Sequence, residues 1–157
     1  MKNIFYKIAI TVLALSMMYS CNDRVETVFT DYYVCIKDEN GAETSSVDAS
    51  VSNLTVTYYV YLVAPVLDHN VVVNYEFIPG AGLQEGVDYT PVSSSRSVTI
   101  AKGITRMPIR VTYNKSTLDP DMDNTLTIRL TSCSNESLNL GYPGPAARFR
   151  SHTVTKR

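Results

Sequence analysis

The chain has 157 residues, a formal net charge of −1 at pH 7, 11 Tyr, 3 Cys, 2 His and no Trp. That length suits one domain after any leader is removed, and the near-neutral balance lacks the basic footprint of a nucleic-acid binder. With 45% hydrophobic and 18% charged residues the chain can bury a core, so a disordered tail is excluded.

The N-terminus reads as an export signal. Lys2 and Lys7 make a positive n-region, and Ile8 to Met18 is an apolar run too short to span a bilayer comfortably. The run ends in Met18-Tyr19-Ser20-Cys21. This ending resembles a bacterial lipobox, in which the cysteine becomes the lipidated first residue of the mature protein. The resemblance implies that Cys21 is a lipid anchor, with residues 1–20 a lipoprotein signal peptide and 21–27 an anchor and tether. Two or more acyl chains make such an anchor durable, at about 0.8 kcal/mol per buried CH₂. The alternative is an ordinary secretory signal cleaved near Ser20. Asp23 and Glu26 follow the cysteine, and acids there are similar to surface-export signals of some Gram-negative lipoproteins.

Residues 28–157 show strand signals throughout. A first strand is expected over Val28 to Ile36. Val28, Tyr32, Val34 and Ile36 would point inward, and Phe29, Asp31, Tyr33 and Cys35 outward. Leu54 to Leu62 alternates, with Leu54, Val56, Tyr58, Val60 and Leu62 on one face and Thr55, Thr57, Tyr59 and Tyr61 on the other. Val71 to Phe77 repeats the pattern with Asn74 and Glu76 outward. Ser97–Ile100 and Met107–Tyr113 are expected to pair across Ala101-Lys-Gly103. Thr125 to Thr131 puts Leu126, Ile128 and Leu130 inward, and a last strand is expected over about Phe149 to Thr155. Turn residues separate these runs at Glu39-Asn-Gly41, Pro79-Gly-Ala-Gly82, Asp119-Pro120 and Pro143-Gly-Pro145. About seven short strands with regular punctuation and no helical period predict an all-β, antiparallel β-sandwich.

Within it, Gly82-Leu-Gln-Glu-Gly-Val-Asp-Tyr89 follows one strand and Ser97-Val-Thr-Ile-Ala-Lys-Gly103 forms the next. Together with Ile109-Arg-Val111 and the acid-led Asp123 to Leu130 strand, this resembles the Calx-beta domain, an immunoglobulin-like sandwich. Gly86, Asp88 and Tyr89 match the family's G-x-D-Y motif. In physical terms the Gly turn lets Tyr89 fold over the sheet end while Asp88 accepts from nearby backbone amides. The Leu140-Gly-Tyr-Pro-Gly-Pro145 segment is similar to small lipoproteins found beside glycan-uptake transporters of the starch-utilisation type.

Two groups of residues are candidate sites. Asp119, Asp121 and Asp123 sit at alternate positions of one loop, and such carboxylates can surround a hard cation such as Ca²⁺. Calx-beta domains that bind Ca²⁺ use acids at the sandwich end. Here the family's paired-aspartate motif is absent, and Asn124 and Leu130 stand where an EF-hand carries Gly and Glu. The second group is aromatic. If the first strand neighbours Leu54–Leu62, then Phe29, Tyr33, Tyr59 and Tyr61 form an outward stripe that can stack sugar rings or dock a protein. Cys35 and Cys133 are expected to face outward from opposite sheets and to stay unpaired. With His69 and His152 as the only histidines, no Ser-His-Asp, Cys-His or His-rich metal site is expected.

The expectation is therefore a non-enzymatic module held at the outer membrane by lipid. It would support glycan capture on its own or beside an outer-membrane transporter complex, with no nucleic-acid partner. The alternative is a structural or protein-interaction subunit of an envelope complex without sugar affinity.

Overall fold

The computed structural model describes residues 31–157. Cys21 and Phe29 lie outside the described residues. Ten strands follow in order: β1 (Tyr33–Lys37), β2 (Thr44–Val47), β3 (Leu54–Val63), β4 (Val71–Pro79), β5 (Tyr89–Pro91), β6 (Ser97–Ile100), β7 (Arg106–Tyr113), β8 (Thr125–Cys133), β9 (Asn139–Leu140) and β10 (Ser151–Lys156). They form two five-stranded sheets, ordered β5-β7-β3-β1-β9 and β2-β10-β8-β4-β6. The all-β sandwich stands as expected, but it is not wholly antiparallel, since the short β9 and β2 pair parallel with β1 and β10. The strand count exceeds seven because β2, β5 and β9 are only two to four residues long, below what alternation reveals.

The alternating residues face one another between the sheets. Val34, Ile36, Tyr58, Val60, Ile109 and Val111 of the first sheet pack with Val71, Val73, Leu126, Ile128, Leu130 and Val154 of the second. The opposite faces are polar, as read. Glu76 pairs with Arg129 at 2.6 Å, and the Thr127 and Thr153 hydroxyls meet at 3.1 Å.

Three expectations about strands are corrected. Ser97–Ile100 and Met107–Tyr113 do not pair. β6 pairs with β4 in one sheet and β7 with β3 and β5 in the other. The Ala101–Ile104 turn, with Gly103 at φ 78°, carries the chain across the sandwich instead of making a hairpin. The parity of Cys133 is reversed by a bulge. Leu130 is opposite Tyr75 and Ser132 opposite Asn74, so Thr131 is an extra residue. The bulge turns Cys133 inward, opposite Val73, where it packs against the core. The first and last strands begin later than expected, at Tyr33 and Ser151.

The hydrogen-bond parity of β3 matters below. Leu62 N–H donates to the carbonyl of Thr105 at 2.8 Å, on the β7 side. Backbone groups alternate along a strand, so Val56, Tyr58 and Val60 also address β7, and Thr55, Thr57, Tyr59 and Tyr61 address the β1 side. Pro108 lies opposite Tyr59 in the β3–β7 ladder. Its missing N–H therefore falls where β3 asks for none.

Candidate functional site

The register joins the strands that carry the tyrosines. β1 pairs antiparallel with β3, with Cys35 opposite Tyr61, Lys37 opposite Tyr59 and Tyr33 opposite Val63. Tyr33, Tyr59 and Tyr61 thus share the outer face of the first sheet, Tyr33 diagonal to Tyr61. All three are half-buried. The Tyr59 and Tyr61 rings lie 6.1 Å apart but tilt by 54°, so they make a ridge, not the flat stripe expected.

Residues that the sequence reading did not place there complete the face. Tyr142 meets the Tyr33 ring edge-on at 5.5 Å and is 47% exposed. Arg106, opposite Tyr61 on β7, lays its guanidinium 4.8 Å over the Tyr59 ring. Lys37 Nζ stands 4.3 Å over Phe149. Such cation–ring contacts contribute about 0.5–1 kcal/mol at exposed sites. Tyr142 and Phe149 sit in loops without alternation, which is why no periodic signal flagged them.

Cys35, opposite Tyr61, keeps the outward parity expected of it, but the loop between β9 and β10 covers it. Ile36 N–H donates to the Phe149 carbonyl at 2.9 Å, so the loop runs along β1 and Cys35 is fully buried. Burial pushes its thiol up to about 11. The loop is held by Glu43, which accepts from Arg148 Nη2 at 3.0 Å and from the Phe149 amide. Its backbone is tight. Ala147 and Phe149 take positive φ, and a Cβ on Gly141 would meet the Ala147 carbonyl at 2.7 Å. Cys35 and Cys133 are both unpaired, as expected.

The acidic loop does not form a cation cage. Asp119 Oδ1 accepts from the Asp121 amide at 3.0 Å, and Asp123 Oδ1 accepts from the Thr125 amide and hydroxyl at 3.1 and 2.8 Å. Two of the three carboxylates close local turns. Among the described residues no group of three or more His, Cys, Asp or Glu is placed to hold a metal. The hollow beside the loop is lined by Asp123 but also by the apolar Ala49, Leu118, Pro120 and Met122 and by the cations Lys156 and Arg157, a poor setting for a divalent ion. The expected Ca²⁺ site at Asp119, Asp121 and Asp123 is therefore not assembled.

The G-x-D-Y turn behaves as its residues predict and adds one partner. Gly86 adopts φ 84° and Tyr89 is 1% exposed. Asp88 Oδ2 accepts from the Gln84 amide at 2.8 Å. Lys156, also buried, donates to Asp88 Oδ1 at 3.3 Å, to the Asp88 carbonyl at 3.1 Å and to Ser116 Oγ at 2.6 Å. Burial pushes the Asp88 carboxyl up, but hydrogen bonds from Ser116 and the Gln84 amide and the Lys156 charge outweigh it and hold it below the usual range.

One histidine meets a hydroxyl that the sequence reading did not pair with it. His152 is buried with Nε2 2.8 Å from Ser45 Oγ and Nδ1 3.1 Å from the Ala42 carbonyl. A carbonyl only accepts, so Nδ1 carries the proton and Nε2 accepts from Ser45. Burial lowers the pKa of this imidazole, keeping the ring neutral at pH 7. A backbone carbonyl occupies the place of a triad acid, and the pair ties β2 to β10.

No family model matches the sequence, and no curated protein matches it. Solved structures do. The apo form of the Calx CBD1 domain matches with TM-score 0.51 and 16% identity, covering 80% of this chain and 98% of that one. A CBD12 structure from CALX1.2 matches with TM-score 0.54 and 17% identity, covering 78% of this chain and 43% of that one. The fold is Calx-beta-like. At such identities the likeness concerns architecture, so the site residues stand on their own geometry.

Proposed function

We propose that this Calx-beta-like domain is a non-catalytic binding module, anchored by lipid at Cys21 on the outer membrane, that supports glycan capture. The observation that carries the reading is the β1–β3 register, which gathers Tyr33, Tyr59 and Tyr61 on one outer face. Aromatic rings with nearby Arg and Lys offer stacking surfaces and hydrogen-bond donors to a sugar. Anchoring raises the local concentration of the face, so modest affinity at each ring suffices.

A second reading is supported by the ring geometry. Tyr59 and Tyr61 tilt by 54° and Arg106 covers one face of Tyr59, which suits an irregular protein surface as well as a pyranose plane. In that reading the protein is an interaction subunit of an envelope complex, such as one built on an outer-membrane transporter.

Calorimetric titration of the full chain against a panel of neutral oligosaccharides separates the two. Glycan capture predicts saturable binding that weakens about fivefold in Tyr61→Ala, since a lost ring stack is worth about 1 kcal/mol. Failure of every oligosaccharide, together with co-purification of a transporter, would replace it by the interaction reading.

A further inference from the structure

A cleft of about 340 Å³ opens between the edges of β2 and β3. It is lined by Asp38, Glu39 and Asn40, by Ser45 to Val47 of β2 and by Thr55 to Tyr58 of β3. Its walls are two sheet edges. β1 pairs with β3 only as far as Lys37 opposite Tyr59. Beyond that the chain leaves through the Asp38–Ala42 turn, closed by Asp38 Oδ1 accepting from the Asn40 and Ala42 amides at 2.9 and 2.7 Å. Thr55 and Thr57 have their N–H and C=O groups on this side by the parity of β3, and among the described residues no strand meets them there.

The facing wall has the same character. β2 is the edge strand of the second sheet and pairs only with β10. Thr153 N–H donates to the Glu43 carbonyl and Arg157 N–H to the Val47 carbonyl, so odd residues of β2 serve the pairing. Thr44 and Ser46 then present their backbone groups to the open side. Natural sheets protect edges with charge, proline or a bulge, and both end strands of the first sheet are blunted by length or chemistry: β9 has two residues, and β5 has three and ends in Pro91. The Thr55–Tyr58 overhang carries small hydroxyls and no such guard.

From this geometry we propose that the cleft takes an extended segment of another protein as an added strand on the β3 edge, with basic side chains flanking it. The overhang from Thr55 to Tyr58 accepts about 13 Å of extended chain, four residues. The basic preference comes from the mouth, where Asp38 and Glu39 stand and no Lys or Arg is among the described lining residues. The site is separate from the aromatic face, and its occupancy does not depend on sugar binding.

Amide exchange on the isotope-labelled full chain in detergent tests this by residue. Alone, Thr55 and Thr57 amides exchange fast while Val56 and Tyr58, bonded toward β7, exchange slowly. The probe is the peptide Lys-Val-Thr-Val-Thr-Lys. Its addition should slow Thr55 and Thr57 by about tenfold or more. N-methylation of the peptide at alternate residues should abolish the effect in one parity and spare it in the other, because only one set of amides faces the edge. Glu39→Lys should weaken binding several-fold, and Tyr61→Ala should leave it unchanged. The proposal is overturned if millimolar peptide leaves both amides fast, or if both methylation parities act alike. It is equally overturned if the two amides become protected with rising protein concentration alone, which would make a second copy the occupant.

Discussion

Lys156 shows how a single residue can matter more than its sequence context suggests. Its ammonium has three protons and three acceptors within reach: Asp88 Oδ1, the Asp88 carbonyl and Ser116 Oγ. Because Lys156 is 1% exposed, removing it leaves the Asp88 carboxylate without its cation in a dry site. Lys156→Met should therefore destabilise the fold by roughly 3 kcal/mol or more, measured by urea unfolding. Adding Asp88→Asn should restore part of the loss, since the uncompensated charge disappears. Simple additivity of the two losses would refute the pairing. The aspartate was visible in the motif, and its backbone capping role followed from the Gly turn. Lys156 was not visible, because 68 residues separate it from Asp88 and a lysine beside Arg157 reads as a solvated end.

At the scale of elements, the long strands announced themselves and the exceptions had local causes. β3, β4 and β7 carry alternation along most of their length and β8 carries it from Thr125 to Leu130, and their inward residues form the core. Cys133 defied the pattern because one extra residue, Thr131, shifts the period after Leu130. Cys35 keeps its outward parity but is buried, because the 141–150 loop runs along β1. These placements predict a labelling order. In a Cys21→Ala background at pH 8, Cys133 should react slowly with a thiol reagent and Cys35 more slowly still, since burial raises both thiols and that of Cys35 to about 11. Urea should expose both to rapid labelling. Labelling of Cys35 in the folded protein at the unfolded rate would contradict the covering loop.

For the whole molecule, the two open questions are where it resides and what its faces touch. The anchor test is direct. Cys21→Ala should move the protein from the membrane pellet to the soluble fraction after cell breakage, because one lipidated cysteine is the attachment expected from the leader. Retention in the pellet would refute lipidation there. The aromatic face and the β2–β3 cleft are distinct surfaces of one sandwich, one offering rings and the other unpaired backbone. An anchored module with both can hold a ligand on one while docking on the other.

The class of fold was legible from residues 28–157 alone, since two-residue alternation and turn punctuation dictate half-buried strands whatever their neighbours. The leader proposed for residues 1–20 rests on local properties of the same kind: charge, apolar length and a following cysteine. The G-x-D-Y turn was readable too, because a positive-φ glycine and a capping aspartate act within a few residues. Only the tertiary structure decided which strands lie side by side. That choice depends on pairing between distant segments, and it sent β6 and β7 to different sheets, put Tyr33 diagonal to Tyr61 and placed Lys156 against Asp88. It also left ungathered the three aspartates that sequence spacing had grouped, with Asp119 and Asp123 each spent on a local turn. The overhang of β3 beyond β1 is the clearest case: nothing in Thr55 or Thr57 marks an open edge until the partner strand is seen to end at Lys37.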